Sequence, residues 1–328
     1  MRSRHDHYPR TDAARCRAMR AAEAGLAARW RSEDKRPAGL AAAMAAADAI
    51  AAVDPAHAIA HLRSWLADTR WLDARLAAAL ALLAADPFAR PPLPLVGSGG
   101  APGGLILAER GTVRLSLQLW PFEVAGAPPT TALFVPGRAA IRVLAAGSAS
   151  FALHHVALSD AEEAGAFTAA GAAPCTSDPP RPLRDRELLD LDTTRTAFTL
   201  SRARGDVLLL DLSVRPPSPL PVRAHDIASG RLIHVAASRR DSSFRQMALA
   251  LLAAMERRTA APLFLTATHG EDFAARWAAM RDLIALDPAA AHPRLVRMAA
   301  HDPHPEVRAA AAATLALFAA PKAEPCPA

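Results

Sequence analysis

The spacing of apolar residues changes twice along this chain of 328 residues. In 37–90 and again in 239–319, apolar side chains recur every three or four residues, the spacing of a helix that buries one face. In 103–238 apolar and polar residues alternate, the spacing of a half-buried strand. This order predicts an α+β protein of several domains, with helical segments flanking an all-β sandwich or barrel.

The alternation is clearest in 112–120, TVRLSLQLW, and it recurs in short stretches separated by turns. The predicted strands are 103–109, 112–120, 131–135, 139–145, 151–158, 186–191, 196–202, 206–214, 220–227 and 231–237. Segment 160–183 is rich in glycine and proline and is predicted to be a loop. Many short strands are typical of a sandwich or barrel. By the number and spacing of its strands, this segment resembles a cupin, or double-stranded β-helix, barrel.

A helix-start pattern stands in the C-terminal segment, where 301–318 reads HDPHPEVRAAAAATLALF. Proline is tolerated in the first turn of a helix, and small and apolar residues follow it at helical spacing. Asp302, Pro305, Val307 and Arg308 match the pattern D-x-x-P-x-V-R, so the segment resembles the first helix of a HEAT repeat. The resemblance implies helix pairs that stack, because one pair cannot bury both of its apolar faces alone.

Two further apolar stripes precede this helix and carry an arginine at a similar position. Arg308 follows Arg276 by 308 − 276 = 32 residues, and Arg276 follows Arg245 by 276 − 245 = 31 residues. Shorter second helices are predicted at about 262–268 and 290–300. We expect each of these arginines to bond an aspartate-bearing turn of a neighbouring repeat, such as the turn at Asp302, and so to be structural.

The N-terminal helical segment aligns with the C-terminal one without a gap when it is shifted by 233 positions. Residues 38–84 then fall on 271–317, an Asp-Pro break falls on an Asp-Pro break, and Arg75 falls on Arg308. The shared break, arginine and apolar phase predict that 37–90 is also HEAT-like, so that HEAT-like helices stand at both ends of the chain.

The remaining segments are connectors and tails. Residues 1–36 are predicted to be a polar segment that is partly helical or disordered, 91–102 a linker rich in proline and glycine, and 320–328 a disordered tail. No stretch is long and apolar enough to span a membrane, and no apolar signal region follows the charged start. The three cysteines lie far apart without metal-finger spacing, which favours a reducing compartment. We expect a cytoplasmic protein.

A metal site is one alternative use of the β segment. If Ser229-Gly230 is a two-residue turn, His225 falls directly opposite His234 on one face, where two imidazoles can chelate a divalent metal. One of the adjacent His154 and His155 is the candidate third ligand, and we assign His155. The competing interpretation is that these are ordinary strand histidines, and no cofactor is otherwise expected. A cupin enzyme would need such a cluster, and no catalytic residue is assigned.

Three function classes follow from these patterns. The favoured hypothesis is a non-catalytic interaction or scaffold protein whose HEAT-like array binds a protein partner. The alternative is a cupin-like metal-dependent enzyme, or a small-ligand sensor, with its site in the β segment. Nucleic acid is not an expected partner, because the formal charge of +6 comes from 38 basic and 32 acidic residues spread along the chain. The third class is that of the HEAT-like alkylpurine DNA glycosylases. The chain resembles them only in its helices, because those enzymes lack a β domain.

Overall fold

The computed structural model describes residues 13–86, 88–96, 103–238 and 240–319. Within them the chain is α+β, with helices at both ends and a β region in the middle. The predicted disordered tail, the second half of the predicted linker (97–102) and the first twelve residues lie outside the described residues. In the described part of the chain, no helix combines the length and apolar character needed to cross a membrane.

Four helices form the N-terminal part. They are α1 (Ala13–Asp34), α2 (Leu40–Ala51), α3 (Pro55–Ala67) and α4 (Arg70–Ala85). The break between α2 and α3 follows from the Asp54-Pro55 pair, because proline fits only the first turn and the Asp54 carboxylate accepts a hydrogen bond from His57 N at 2.9 Å.

Thirteen strands and one short helix follow within the described residues. The strands are β1 (Leu95–Val96), β2 (Gly103–Arg110), β3 (Val113–Trp120), β4 (Thr131–Phe134), β5 (Arg138–Ala145), β6 (Ser150–His155), β7 (Thr176–Ser177), β8 (Arg181–Pro182), β9 (Leu188–Asp192), β10 (Thr196–Ser201), β11 (Val207–Val214), β12 (Val222–Asp226) and β13 (Leu232–Ala236). The short helix α5 spans Phe122–Ala125. The ten predicted strands are all confirmed, and the predicted loop 160–183 adds only a π-helical turn and two two-residue strands.

The strands form three sheets. The large sheet has the order β1-β2-β3-β11-β5-β9, and every neighbouring pair is antiparallel. A second sheet has the order β10-β6-β7, with β8 also paired to β6, and a third has the order β13-β12-β4. Strands that are distant in sequence therefore lie side by side, as in β3 and β11.

The N-terminal helices cover one face of the large sheet. Leu62 and Leu66 of α3 belong to the same apolar cluster as Leu115 of β3 and Leu212 of β11. Alternation along these strands places their remaining side chains on the opposite face, toward the rest of the β region. The N-terminal helices are thus part of the core that supports the sheet.

The C-terminal helices form a second apolar cluster. They are α6 (Arg240–Ala254), α7 (Ala261–Ala267), α8 (Phe273–Leu286), α9 (Pro288–His301) and α10 (Pro305–Ala319). Phe167 of the 160–183 loop packs into this cluster with Phe264, and the Glu306 carboxylate accepts a hydrogen bond from Ala169 N at 3.0 Å. The loop therefore joins the β region to the helices.

Two of the last helices, α8 and α9, begin where the 233-residue shift predicts from the N-terminal ones. Subtracting 233 from the first residues of α8 and α9 gives 40 and 55, which are the first residues of α2 and α3. The Asp287 carboxylate caps α9 by accepting from Ala290 N at 3.0 Å, as Asp54 caps α3. The same Asp-Pro pair thus starts a helix in both sets.

Candidate functional site

The predicted pairing of His225 with His234 is wrong. His225 lies opposite Leu232, and His234 lies opposite Ala224, with a β-bulge between the two pairs. A shift of one residue moves a side chain to the other face of a strand, so one histidine is buried and the other is exposed.

The turn explains this register. Asp226 N donates to Arg231 O, so the loop holds the four residues 227–230 rather than only Ser229 and Gly230. The Asp226 carboxylate accepts hydrogen bonds from Ser229 N at 2.7 Å and Ser229 Oγ at 2.6 Å, which stabilises the longer loop. Gly230 takes the positive φ of 71° that closes it.

The other two strand histidines are already occupied by neighbours. His155 Nε2 lies 3.1 Å from an Asp178 carboxylate oxygen in a partly exposed pair. The buried His154 has Ser177 Oγ 2.7 Å from Nδ1 and Thr199 Oγ1 2.8 Å from Nε2. Burial lowers the pKa of His154, which favours the neutral ring.

The structure does not bring His155, His225 and His234 together as a metal site. Across the ranges that the structure describes, no group of three or more histidine, cysteine, aspartate or glutamate side chains is placed to hold a metal ion.

The repeat arginines occupy different environments. Arg276 of α8 is buried and donates to both carboxylate oxygens of Asp302, from Nη2 at 2.8 Å and from Nε at 3.2 Å. Arg308 donates instead to the backbone carbonyl of Asp302 at 2.6 Å. Arg75 of α4 is paired with Asp34 of α1, and Arg245 of α6 is exposed. The four arginines therefore do not make one equivalent contact.

An exposed apolar stripe runs along α6. Its members, which we call the α6 stripe, are Phe244, Met247, Leu251 and Met255, with 68%, 63%, 62% and 51% of their surface accessible. Phe244, Met247 and Leu251 lie on one side of α6, and Met255, the first residue after the helix, continues their spacing of three and four residues. The opposite side of α6 packs into the array through Leu249.

This stripe differs from the usual end of a helical array. Terminal repeats normally present a polar outer face, because their apolar surface would otherwise meet water. Methionine adapts its shape to different partners and is common at protein-binding surfaces. Exposed apolar side chains that are contiguous, rather than scattered singly, mark interaction sites. The arrangement can bind an apolar protein surface and holds no group for catalysis.

Sequence reasoning missed a buried polar row in the β region. On the face of the large sheet that turns away from the N-terminal helices, Asp211 of β11 lies opposite Ser116 of β3. Gln118 Nε2 donates to the Asp211 carboxylate at 3.1 Å. Burial raises the pKa of Asp211 to about 6, against the opposing effects of Arg215, Ser116, Arg114 and Gln118. The alternation in β11 already places Asp211 on this face, which was the available signal.

A second buried group was also missed. Arg223 of β12 is fully buried, with its guanidinium over the rings of Phe134 and Phe167 and one hydrogen bond to Thr194 O. Its Nε and Nη1 have no hydrogen-bond partner among the described residues, and neither does Nε2 of the buried His225. Burial lowers the pKa of Arg223 to about 10.

Comparison with protein families gives one match in the C-terminal part. A family model described as HEAT repeats matches residues 231–316, which hold β13 and most of the last five helices. No curated protein matches the chain at a significant level.

Similar solved structures share low identity with the chain. Hydroxypropylphosphonic acid epoxidase from S. wedmorenis is 12% identical with a TM-score of 0.26, over 37% of this chain and 55% of the epoxidase. This chain therefore spans about half the length of that enzyme. An uncharacterized conserved protein with a double-stranded β-helix domain from Klebsiella pneumoniae is 8% identical with a TM-score of 0.22, over 37% of this chain and 82% of its own. A DMSP lyase is 15% identical with a TM-score of 0.25, over 60% and 93%. Likeness at this level assigns neither an activity nor a ligand.

Proposed function

We propose that this chain is an interaction protein that binds a protein partner through its C-terminal helical array, with the α6 stripe as the contact face. The observation that carries the proposal is the stripe itself, four large apolar side chains that are each at least half exposed, three on one side of α6 and the fourth directly after its C-terminal end. The HEAT-repeat match over 231–316 supports an array of the kind that binds proteins.

The two sets of helices bury different amounts of their apolar surface against the β region, which supports the choice of the α6 stripe as the contact face. The N-terminal helices use their apolar side against the large sheet, where Leu62 and Leu66 are buried. The C-terminal helices contact the β region mainly through the 160–183 loop and β13, and among the described residues the outer side of α6 stays exposed. The α6 stripe is therefore available for a partner in the part of the chain that the structure describes.

The proposed architecture has HEAT-like helices at both ends, in 37–90 and 239–319, and a cupin-like β domain in 103–238. Segment 91–102 links the first set of helices to this domain. The matching starts of the helices that follow Asp54 and Asp287 support the first part. The large-sheet order β3-β11-β5-β9 facing a sheet that contains β10-β6-β7 supports the second, because strands interleave this way in double-sheet jelly rolls. Free Cys16 and Cys175 agree with a cytoplasmic protein.

A paired substitution tests the proposal. Leu251→Asp places a charge in the α6 stripe, and Leu80→Asp places one on α4, where Leu80 is 64% exposed and serves as the matched control. Both proteins should melt near the temperature of the wild type, because neither side chain is in a core. The complex recovered with tagged protein from its native cell should lose one defined partner with Leu251→Asp only.

Two results contradict the proposal. Equal recovery of the same partner by both variants places the contact elsewhere. Self-association that is lost only with Leu251→Asp assigns the stripe to a second copy of this chain instead of a different partner.

A second candidate function is a small-ligand sensor with its site in the β domain. The observation that favours it is the buried pair Arg223 and His225, which share one side of β12 and hold nitrogens without a partner among the described residues. Buried polar groups ordinarily have partners, so a small anionic ligand would satisfy both. A thermal shift of the wild type with carboxylate or phosphate compounds, absent in Arg223→Met, tests this candidate.

A further inference from the structure

A basic cleft opens at one edge of the C-terminal array. It forms where the end of α7, the start of α8 and the turn between α9 and α10 meet, and its cavity measures about 530 Å³. The basic lining residues are His269, Arg276, Arg294, Arg297 and His301. This volume falls within the range of cavities that bind small groups in proteins.

Helix α9 supplies one wall of the cleft through regular spacing. Arg294, Arg297 and His301 stand at intervals of three and four residues, which places them on one side of the helix. Like charges at these intervals repel each other. Helix α9 carries no acidic side chain that would balance them.

The guanidinium groups of the cleft differ in how many of their N–H groups already donate hydrogen bonds within the array. Arg276 donates from Nε and Nη2 to the Asp302 carboxylate and from Nη1 to the carbonyls of Gly270 and Glu271. Arg294 is held by Thr268, with Nε donating to Oγ1 at 2.9 Å and Nη2 donating to the carbonyl at 2.7 Å.

Two donors remain for a ligand. Nη1 of Arg294 has no hydrogen bond assigned among the described residues, and Arg297, which is exposed, has neither a hydrogen bond nor an ion pair among them. Thr268 is fully buried, so the Arg294 guanidinium that donates to it is held in place. The held guanidinium of Arg294 and the exposed guanidinium of Arg297 thus border the same cavity.

The charge of the cleft is not balanced by its carboxylates. Asp302 is taken by Arg276, and Glu271 is the other carboxylate that lines the cavity. Burial, together with the nearby charges of Arg276 and Arg297, lowers the pKa of Arg294, while Asp302 acts in the opposite direction. An added anion would relieve this crowding.

We propose that this cleft binds carboxylate side chains of an acidic segment in a protein partner, held by Arg294 and Arg297. The inference rests on the proposed interaction function and adds the chemistry of the partner. Planar guanidinium groups bind carboxylates through paired hydrogen bonds. A nucleic acid fits less well, because its backbone needs an extended basic surface and the Glu271 carboxylate borders this compact cavity.

The test uses hexaglutamate with a fluorescent label as the probe and the full chain as the receptor. Binding is followed by fluorescence anisotropy in a buffer of low ionic strength. Arg297→Glu reverses one charge in the cleft, and Arg281→Glu reverses one exposed charge on α8 outside it. Hexaglutamine and an oligothymidylate are the comparison ligands.

We expect Arg297→Glu to weaken hexaglutamate binding by about tenfold or more, the loss of a charge-assisted hydrogen bond with added repulsion, and Arg281→Glu to weaken it much less. Hexaglutamine should not bind. Equal effects of the two substitutions, or no binding of hexaglutamate to the wild type, overturn the proposal. Tighter binding of the oligothymidylate with the same dependence on Arg297 also overturns it, in favour of nucleic acid.

The α6 stripe separates this inference from the proposed function. Leu251→Asp should leave hexaglutamate binding unchanged, because the stripe does not line the cleft. If hexaglutamate does not bind the wild type but the cellular complex that depends on the α6 stripe still forms, only the proposed role of the cleft is contradicted. If hexaglutamate binds but no cellular complex depends on the α6 stripe, only the proposed function is contradicted.

Discussion

Arg276 and Asp302 form a buried fork in which Nη2 and Nε of the arginine donate to the two carboxylate oxygens at 2.8 Å and 3.2 Å. The accessible fraction of the two side chains is 6% and 1%. The pair joins the first helix of one repeat unit to the turn that precedes α10, so it fixes the spacing of neighbouring helices.

Removing one partner of this fork should be costly. We expect Arg276→Ala to lower the free energy of unfolding by about 3–5 kcal/mol, because it leaves the Asp302 carboxylate buried without a counter-charge. Urea unfolding of the variant measures this loss. Partner choice should be unchanged under conditions where the variant is folded, and a variant that melts like the wild type but loses its partner would assign Arg276 to binding instead.

The double substitution Arg276→Met with Asp302→Leu distinguishes the pair from its parts. Replacing both charges by apolar groups of similar size is often neutral, whereas breaking the pair is not. The double variant should therefore unfold at a higher urea concentration than Arg276→Ala. A double variant as unstable as the single one would show that the carbonyl contacts at Gly270 and Glu271 dominate.

Asp211 should oppose folding at neutral pH. Its pKa is raised by burial to about 6, above its ordinary value, so the native state binds a proton more tightly than the unfolded state does. The cost of the charged form is then present above about pH 6 and is relieved as the pH falls toward about 4. Asp211→Asn should raise the free energy of unfolding by about 3 kcal/mol near neutral pH, with little difference in acid.

Urea unfolding of both proteins across this pH range checks the prediction. The amide oxygen of the asparagine can accept from Gln118 as the carboxylate does. A variant that is less stable than the wild type at neutral pH would mean that nearby Arg114 and Arg215 stabilise the charged form more than burial penalises it.

His304 should couple the array to pH in the opposite sense. Its ring stacks on Phe273 with the centroids 3.7 Å apart, and burial lowers its pKa although Glu306 acts against this. The folded state then favours the neutral ring, so stability is full above the unfolded pKa near 6.5 and is lost as the pH falls through the lower folded value. His304→Phe keeps the stacking and should lose less stability than the wild type between about pH 7 and pH 5. Identical pH profiles of the two proteins would contradict this.

Gly111 should be required at the hairpin between β2 and β3. Its φ is +50°, and a Cβ there would lie 2.3 Å from the Asp48 carboxylate of α2, which accepts hydrogen bonds from Thr112 N and Oγ1. We expect Gly111→Ala to cost about 1–3 kcal/mol from backbone strain alone. Gly103→Ala is the control, because a Cβ at that position has no neighbour within 4 Å. Equal melting temperatures of the two variants would contradict the prediction.

Much of the fold was predictable because the two periods are local properties of the chain. Strand β3 and strand β11 follow their alternation closely, and α3 and α9 start where Asp54 and Asp287 precede a proline. These patterns depend only on residues that are close in sequence, and the tertiary structure agrees with them.

The site was less predictable because it depends on contacts that sequence spacing does not fix. The His225 and His234 prediction failed on the length of one loop, which the Asp226 side chain determines. The basic cleft joins four helices, and only the stripe on α9 is visible as spacing. The α6 stripe has helical spacing like a buried stripe, so the sequence could not show that its side chains are exposed within the described residues.

Site-specific photo-crosslinking tests the central claim most directly. A photoreactive residue placed at Met247, in the middle of the α6 stripe, should form a crosslink to one defined partner protein in the native cell, and the same residue at Leu80 should not. Absence of any crosslink specific to position 247, or the same crosslinked partner from both positions, would contradict the account.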